Sequence, residues 1–191
     1  VLSAKEAVSN AEAALVTAES NLASTKENLC LMLGWSYGAD VEIAELPEPD
    51  QKKIAAIDVN ADIQTALDNS YAYRLTQKQL TNARTDTVKE KLTETAKNQK
   101  ETISNSVKSA YDSLILAQSN YEQAQSALAL QEVSMKSADA KLAAGTITKN
   151  TYESQKASYT TAQVTAQTQK LSLLQAMVDY DWSVNGLASA E

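Results

Sequence analysis

The residues of this chain that could do acid–base chemistry are carboxylates, and several come in pairs. Asp179 and Asp181 lie two residues apart, and Glu90 and Glu94 lie four apart. Two neighbouring carboxylates can act as a general acid and a general base. On a long helix, such residues more often form a solvated face or pair with lysines one turn away. We favour this second interpretation.

Histidine and cysteine, on which most catalytic and metal sites depend, are absent or occur only once in this sequence. The chain has no histidine and one cysteine, Cys30. This excludes histidine-based catalysis, most zinc and di-iron bundle sites, and thiolate clusters. No glycine-rich phosphate loop or nucleophile elbow occurs. Cys30 lies in an apolar run, which predicts a buried thiol. We expect no enzyme, no cofactor and no bound metal.

The composition indicates long helices. The net charge of −7 disfavours a nucleic-acid partner, which would require Lys and Arg patches. No stretch approaches the roughly 20 apolar residues of a membrane-spanning helix. Four Gly and two Pro leave little turn chemistry for sheets. Abundant alanine and the absence of phenylalanine favour an elongated helical bundle.

An apolar ladder then predicts one very long helix. Its rungs alternate steps of four and three residues, which is typical of a supercoiled helix. They are Ile103, Val107, Ala110, Leu114, Ala117, Tyr121, Ala124, Leu128, Gln131, Met135, Ala138 and Leu142. We predict a helix over residues 88–144, about 85 Å long.

A return arm follows the ladder after a glycine turn at Gly145. Its apolar positions have heptad spacing and are Tyr152, Tyr159, Ala166, Leu173 and Tyr180. The two arms predict an antiparallel coiled-coil hairpin that ends near Gly186. The tyrosines could form an aromatic binding track, but several fall on the seam, so packing between the arms explains them more simply.

Capping residues indicate where the return arm and two other helices begin. Thr148 or the Asn150–Thr151 pair can cap the return arm, and Asp58 or Asn60 can cap a helix that carries Ile63, Ala66 and Leu67. Thr87 and Glu90 fit a capping box, which predicts a turn near residues 84–87. The alternative is one continuous helix from Tyr71 onward.

The chain also opens on a helix with the same stepping pattern. Its apolar positions are Ala4, Val8, Ala11, Leu15, Ala18, Leu22 and Leu29, and Gly34 closes it. We predict four segments: a helix at 1–34, a linker at 35–58 with a short extended piece at Asp40–Leu46, a repeat at 59–186 with the hairpin tip near 145–149, and a tail at 187–191.

The order of these parts resembles the outer-membrane efflux protein family, the TolC-like channel-tunnels. Three stretches carry the resemblance, and together they cover most of the chain. They are Ala14–Leu15 through Asn21–Leu22 to Leu33–Gly34; Leu46–Pro47 with Ala66 and Asn69–Ser70–Tyr71; and Val107–Leu114 with Ala144–Thr148 and the arm to Gly186.

The resemblance implies an all-α, TolC-like, extracytoplasmic component of an envelope export conduit. It implies a homotrimer whose helices form a hollow barrel. It also implies that the hairpin tip, Gly145, Thr146, Ile147, Thr148 and Lys149, contacts the membrane-fusion adaptor of a pump.

Two features of the family are absent from this sequence. The membrane β-strands that interrupt the family repeat have no counterpart in the charged stretch 82–106. The outgoing arm of the first hairpin is absent as well. The chain therefore resembles a fragment or a strandless relative. Two other classes of protein carry such a hairpin: the adaptor itself, whose hairpin is flanked by halves of a lipoyl-like domain, and a coiled-coil spacer or adhesin stalk at the cell surface.

Overall fold

The described part of the chain is entirely helical. The computed structural model describes residues 2–36, 38–39 and 44–186, and no β-strand occurs among them. The prediction of an all-α chain is confirmed for these residues. The chain divides into two units, Val1–Glu45 and Leu46–Glu191. The boundary between the units falls inside the predicted linker. The predicted tail, 187–191, lies outside the described residues.

Among the described residues of the first unit, the helix is α1 (Leu2–Met32), and a turn ends it. Gly34 has a φ of +75°, a conformation that glycine adopts without strain. Its N–H donates to the Leu31 carbonyl at 3.0 Å, and the Trp35 N–H donates to the Cys30 carbonyl at 2.8 Å. Cys30 is a buried free thiol, as predicted.

The apolar ladder of α1 is exposed. Val8 is 57% exposed, Leu15 58% and Leu22 66%. The heptad pattern therefore predicted the helix and its glycine end, but the seam residues remain accessible to solvent. The side chain of Ala4 lies outside the described residues.

The predicted linker contains a short helix, α2 (Gln51–Ala55). The Asp50 carboxylate accepts from the N–H groups of Lys52 and Lys53 at 3.0 and 3.2 Å. Ile54 is buried and attaches α2 to the core. A helix this short depends on its cap and its packing, so periodicity does not predict it. The extended piece predicted at Asp40–Leu46 falls partly outside the described residues, and residues 44–46 form no strand.

Two helices follow that the sequence did not separate, α3 (Val59–Asn69) and α4 (Tyr71–Asn82). Of the two caps that the sequence allowed for α3, Asp58 is the one used, and its carboxylate accepts from the Asn60 N–H at 3.0 Å. Ser70 ends α3 and caps α4, with its hydroxyl accepting from the Tyr73 N–H at 3.3 Å. The ψ of Ser70 is 111°, which interrupts the helical path without glycine or proline.

The turn predicted near residues 84–87 is present, so the alternative of one continuous helix is wrong. α5 (Asp86–Ala143) begins after Thr85, which is its N-cap. Thr87 therefore lies within the first turn of α5, and the predicted capping box of Thr87 and Glu90 is wrong. At 58 residues, α5 is about 87 Å long.

The long helix packs along α6 (Lys149–Val184), and the two run in opposite directions. The rings of Tyr111 and Tyr180 have centroids 6.1 Å apart. Further along, Gln155 Nε2 donates to Gln131 Oε1 at 2.8 Å. Residue numbers thus fall in one helix as they rise in the other. All twelve rungs on α5, and all five positions on α6, are buried or half-buried, as predicted.

The core of the second unit lies away from the α5–α6 turn. There α2 and α3 pack against α5 and α6. Val107 and Leu173 are completely buried, and Leu114 is 1% exposed. The other buried residues of this core are Ile54, Ile63, Ala66, Leu67, Tyr121 and Tyr180. Ile63, Ala66 and Leu67 are the α3 positions that the sequence indicated.

Candidate functional site

The five predicted site residues, Gly145–Lys149, lie together in the connection between α5 and α6, and we call them the tip. Gly145 has a φ of +70°, and its N–H donates to the Leu142 carbonyl at 3.0 Å. The Thr146 N–H and hydroxyl both donate to the Lys141 carbonyl at 2.9 Å. The two backbone bonds, from Gly145 to Leu142 and from Thr146 to Lys141, form a Schellman motif, which ends α5.

Thr148 begins the return helix. Its hydroxyl oxygen accepts from the Thr151 N–H at 3.1 Å, and its carbonyl accepts from the Tyr152 N–H at 3.1 Å. Of the two caps that the sequence allowed, Thr148 is therefore the one used, rather than the Asn150–Thr151 pair. Both helix ends at the tip are satisfied by short-range hydrogen bonds, so the tip has a defined backbone.

The tip presents small polar groups, one cation and one aliphatic side chain. Gly145, Thr146, Thr148 and Lys149 are exposed, whereas Ile147 is half-buried. Ile147 lines one side of an open groove of about 440 Å³. The other lining residues are Val133, Ser134, Ser137, Ala138, Lys141, Thr151 and Gln155. Ile147 is thus the tip residue best placed to offer apolar contact.

Two polar pairs that the sequence did not predict lie just behind the tip. The Tyr152 hydroxyl is hydrogen-bonded to Asp139, which raises the pKa of Tyr152 above its ordinary value, with burial as a smaller cause. The second pair is Gln131 with Gln155. Gln131 was the only polar rung of the ladder. Equal distance from the turn would have indicated Asp139 with Tyr152, which lie six and seven residues from Gly145, but not Gln131 with Gln155, which lie fourteen and ten residues from it.

The carboxylates considered for catalysis do not form a cluster. Asp181 forms an ion pair with Lys53. Glu90 and Glu94 are exposed on α5. Among the described residues, no group of three or more His, Cys, Asp or Glu side chains could hold a metal ion. Nor does any described helix combine the length and apolar character that crossing a membrane demands.

The tyrosines lie mainly on the seam between α5 and α6. Tyr121 and Tyr180 are buried, and Tyr111, Tyr152 and Tyr159 are half-buried. Their placement fits packing between the arms rather than an exposed aromatic track.

Comparisons of the chain with protein-family models, with curated proteins and with solved structures found no match.

Proposed function

We propose that this chain is a TolC-like component of an envelope export conduit, which acts through its helical hairpin and not through catalysis. The observation that carries the proposal is the α5–α6 pair, two long antiparallel helices with a seam of buried and half-buried side chains and a tight glycine turn at the tip. Such a pair can extend a rigid surface far from the core of its own domain.

The tip is the proposed contact with a membrane-fusion adaptor. Its backbone is held by the hydrogen bonds of Thr146 and Thr148, so a partner would meet a surface that is already ordered. Ile147 and the groove beside it supply apolar area, and Lys149 supplies one charge. This combination suits a small docking contact between helical tips.

A trimer is the proposed assembly, and the exposed ladder of α1 supports self-association. The ladder runs from Val8 to Leu29 with a gap at Thr25 and Lys26, and apolar residues at this spacing usually indicate a helical partner. The proposed location is the extracytoplasmic cell envelope, where such a conduit would operate.

An Ile147→Asp variant tests the proposed contact. A charge at this half-buried position would oppose apolar docking, so we expect adaptor capture to fall at least tenfold. Purified wild-type and variant chains would be immobilised and exposed to solubilised envelope from the source cell. Captured adaptor would be identified by mass spectrometry from its hairpin and lipoyl-like sequences.

The matched control is Val164→Asp, since Val164 is 62% exposed on α6 outside the tip. It should capture adaptor as the wild type does. Circular dichroism should show equal helicity in all three proteins. If Ile147→Asp binds the adaptor as well as the control does, the tip contact is wrong.

A further inference from the structure

Positive charge is concentrated at the tip of the hairpin. From Ala140 to Tyr152 the only charged side chains are those of Lys141 and Lys149, and the stretch contains no Asp or Glu. The chain as a whole has a net charge of −7. The end of the hairpin is therefore positive, although the chain is acidic.

Both lysines are accessible to another molecule. Lys141 and Lys149 are exposed, and neither forms an ion pair with a described residue. The nearest carboxylates along the chain are Asp139 and Glu153, which flank the stretch on either side. Asp139 is hydrogen-bonded to the Tyr152 hydroxyl. Carboxylates of a partner could therefore pair with both lysines without displacing an existing ion pair.

Lys149 occupies a position where helix electrostatics disfavour a cation. It is the first residue of α6, and the first turn of this helix contains no acidic residue. The N-terminus of a helix carries partial positive charge, which favours Asp or Glu there and disfavours Lys. The stability of α6 therefore does not explain this lysine. A carboxylate supplied by a partner would offset the repulsion.

The charge at the tip adjoins an apolar surface. Lys141 lines the same open groove of about 440 Å³ as Ile147, together with Val133 and Ala138. A membrane surface is usually bound by clusters of about four to eight Lys or Arg residues. Two lysines beside a groove fit a protein segment better, because the groove can receive an aliphatic side chain while the lysines pair with carboxylates.

We propose that the tip binds an acidic segment at the hairpin tip of the adaptor, in which two carboxylates accompany an aliphatic side chain. This inference rests on the proposed function and adds the chemistry of the partner. The aliphatic side chain would contact Ile147 in the groove, and the carboxylates would pair with Lys141 and Lys149. The acidic remainder of the chain would repel such a segment, so the charges favour docking at the tip.

The test measures the association rate between the adaptor and the immobilised chain by surface plasmon resonance. The adaptor is the full-length protein captured and identified in the Ile147→Asp experiment. The double variant Lys141→Glu, Lys149→Glu reverses both charges and should lower the association rate at least tenfold at low salt. The wild-type rate should also fall as the salt rises from about 0.05 to about 0.5 M, because salt screens exposed charges.

The matched control is Lys97→Glu, Lys100→Glu, which makes the same change in net charge at two exposed positions of α5 outside the tip. Its association rate should stay within about twofold of the wild-type rate. Lys149→Glu alone separates binding from folding. An acidic first residue should maintain or raise the thermal stability of α6, yet the association rate should still fall.

A charge swap completes the test. Replacing the acidic residues of the adaptor's hairpin tip by lysine should restore association with the Lys141→Glu, Lys149→Glu variant. An adaptor whose hairpin tip contains no Asp or Glu would overturn this inference and leave the proposed tip contact in place. Equal rates for the double variant and its control would do the same. If the wild-type chain captures no adaptor, the proposed function and this inference fail together.

A vesicle experiment distinguishes a protein partner from a membrane. Phosphatidylcholine vesicles containing phosphatidylglycerol present anionic phosphates without a shaped aliphatic contact. The wild-type chain should not bind them in a sedimentation assay. Saturable binding that is lost in the Lys141→Glu, Lys149→Glu variant would assign the tip to a lipid surface and overturn the inference.

Discussion

Tyr180 and Asp62 show how single residues connect distant helices in this fold. Tyr180 is 4% exposed, and its hydroxyl donates to Asp62 Oδ2 at 2.6 Å across 118 positions of sequence. Burial is the main cause that raises the pKa of Tyr180 above its ordinary value of about 10, and the hydrogen bond to Asp62 adds to it. The pair joins α6 to α3.

The raised pKa of Tyr180 predicts that this residue contributes less to the free energy of unfolding at alkaline pH. The protonated hydroxyl is favoured in the folded chain, so its stabilisation is complete below pH ~10 and declines as the unfolded tyrosine ionises above that pH. Tyr180→Phe should lower the free energy of unfolding by about 1 to 2 kcal/mol at pH 8. The difference between the two proteins should narrow above pH ~10. Urea denaturation at several pH values measures both.

Tyr71 offers the matched comparison because it is 76% exposed. Tyr71→Phe should have little effect on stability at pH 8. If the difference between wild type and Tyr180→Phe stays constant up to pH ~11, the buried hydroxyl does not have the raised pKa that its surroundings indicate.

A lysine of the second unit, Lys170, forms an ion pair with Glu48 in the segment that precedes α2. Lys170 is 8% exposed, and its Nζ lies 2.6 Å from Glu48 Oε1. The carboxylate itself is mostly exposed. No local pattern connects these residues, which are 122 positions apart. The sequence therefore could not reveal this contact.

At the scale of helices, the seam of α5 was predictable. Side chains at steps of four and three residues lie on one face of a helix, whichever element packs against that face. The periodicity alone therefore identifies the buried face. Breaks between helices were predictable where a local signal exists, as at Gly145. The break at Ser70 carries no glycine or proline, and serine occurs within helices as well as at their caps.

Leu114 and Leu116 provide a test of the seam. Leu114 is 1% exposed in the core, whereas Leu116 is 63% exposed on the same helix. Leu114→Ala should lower the free energy of unfolding by about 2 to 5 kcal/mol through lost burial and a residual cavity. Leu116→Ala should change it by less than about 0.5 kcal/mol. Chemical denaturation measures both. Similar losses for the two variants would contradict the assigned seam.

At the scale of the whole molecule, the two units differ in whether their apolar ladders are covered by other helices. The seam of α5 and α6 is covered within the chain, but the ladder of α1 is exposed at its described positions, from Val8 to Leu29. The same heptad rule predicted both ladders. Whether a seam is covered depends on which other helices are present, and heptad spacing does not specify that.

We therefore predict that α1 mediates self-association. The wild-type chain should sediment as a trimer of about 62 kDa, three times the chain mass of 20.6 kDa. A Leu15→Glu, Leu22→Glu double variant should sediment near the monomer mass, because charges on the ladder oppose helix pairing. Analytical ultracentrifugation measures both.

Val16→Glu is the control, since Val16 is 65% exposed on α1 but lies off the ladder. It should leave the trimer intact. A wild-type chain that sediments as a monomer would argue against the tunnel and favour the adaptor hairpin or the spacer.

By itself the sequence determined the helical class, the seam of α5 and α6, the buried thiol of Cys30 and the glycine-ended helices. These follow from local rules, namely the period of the helix and the backbone freedom of glycine. Only the tertiary structure decided which helices cover one another, where α2 forms, how Ser70 divides α3 from α4 and which distant polar groups form contacts. These features depend on contacts between residues far apart in the chain, and such contacts leave no periodic trace in the sequence.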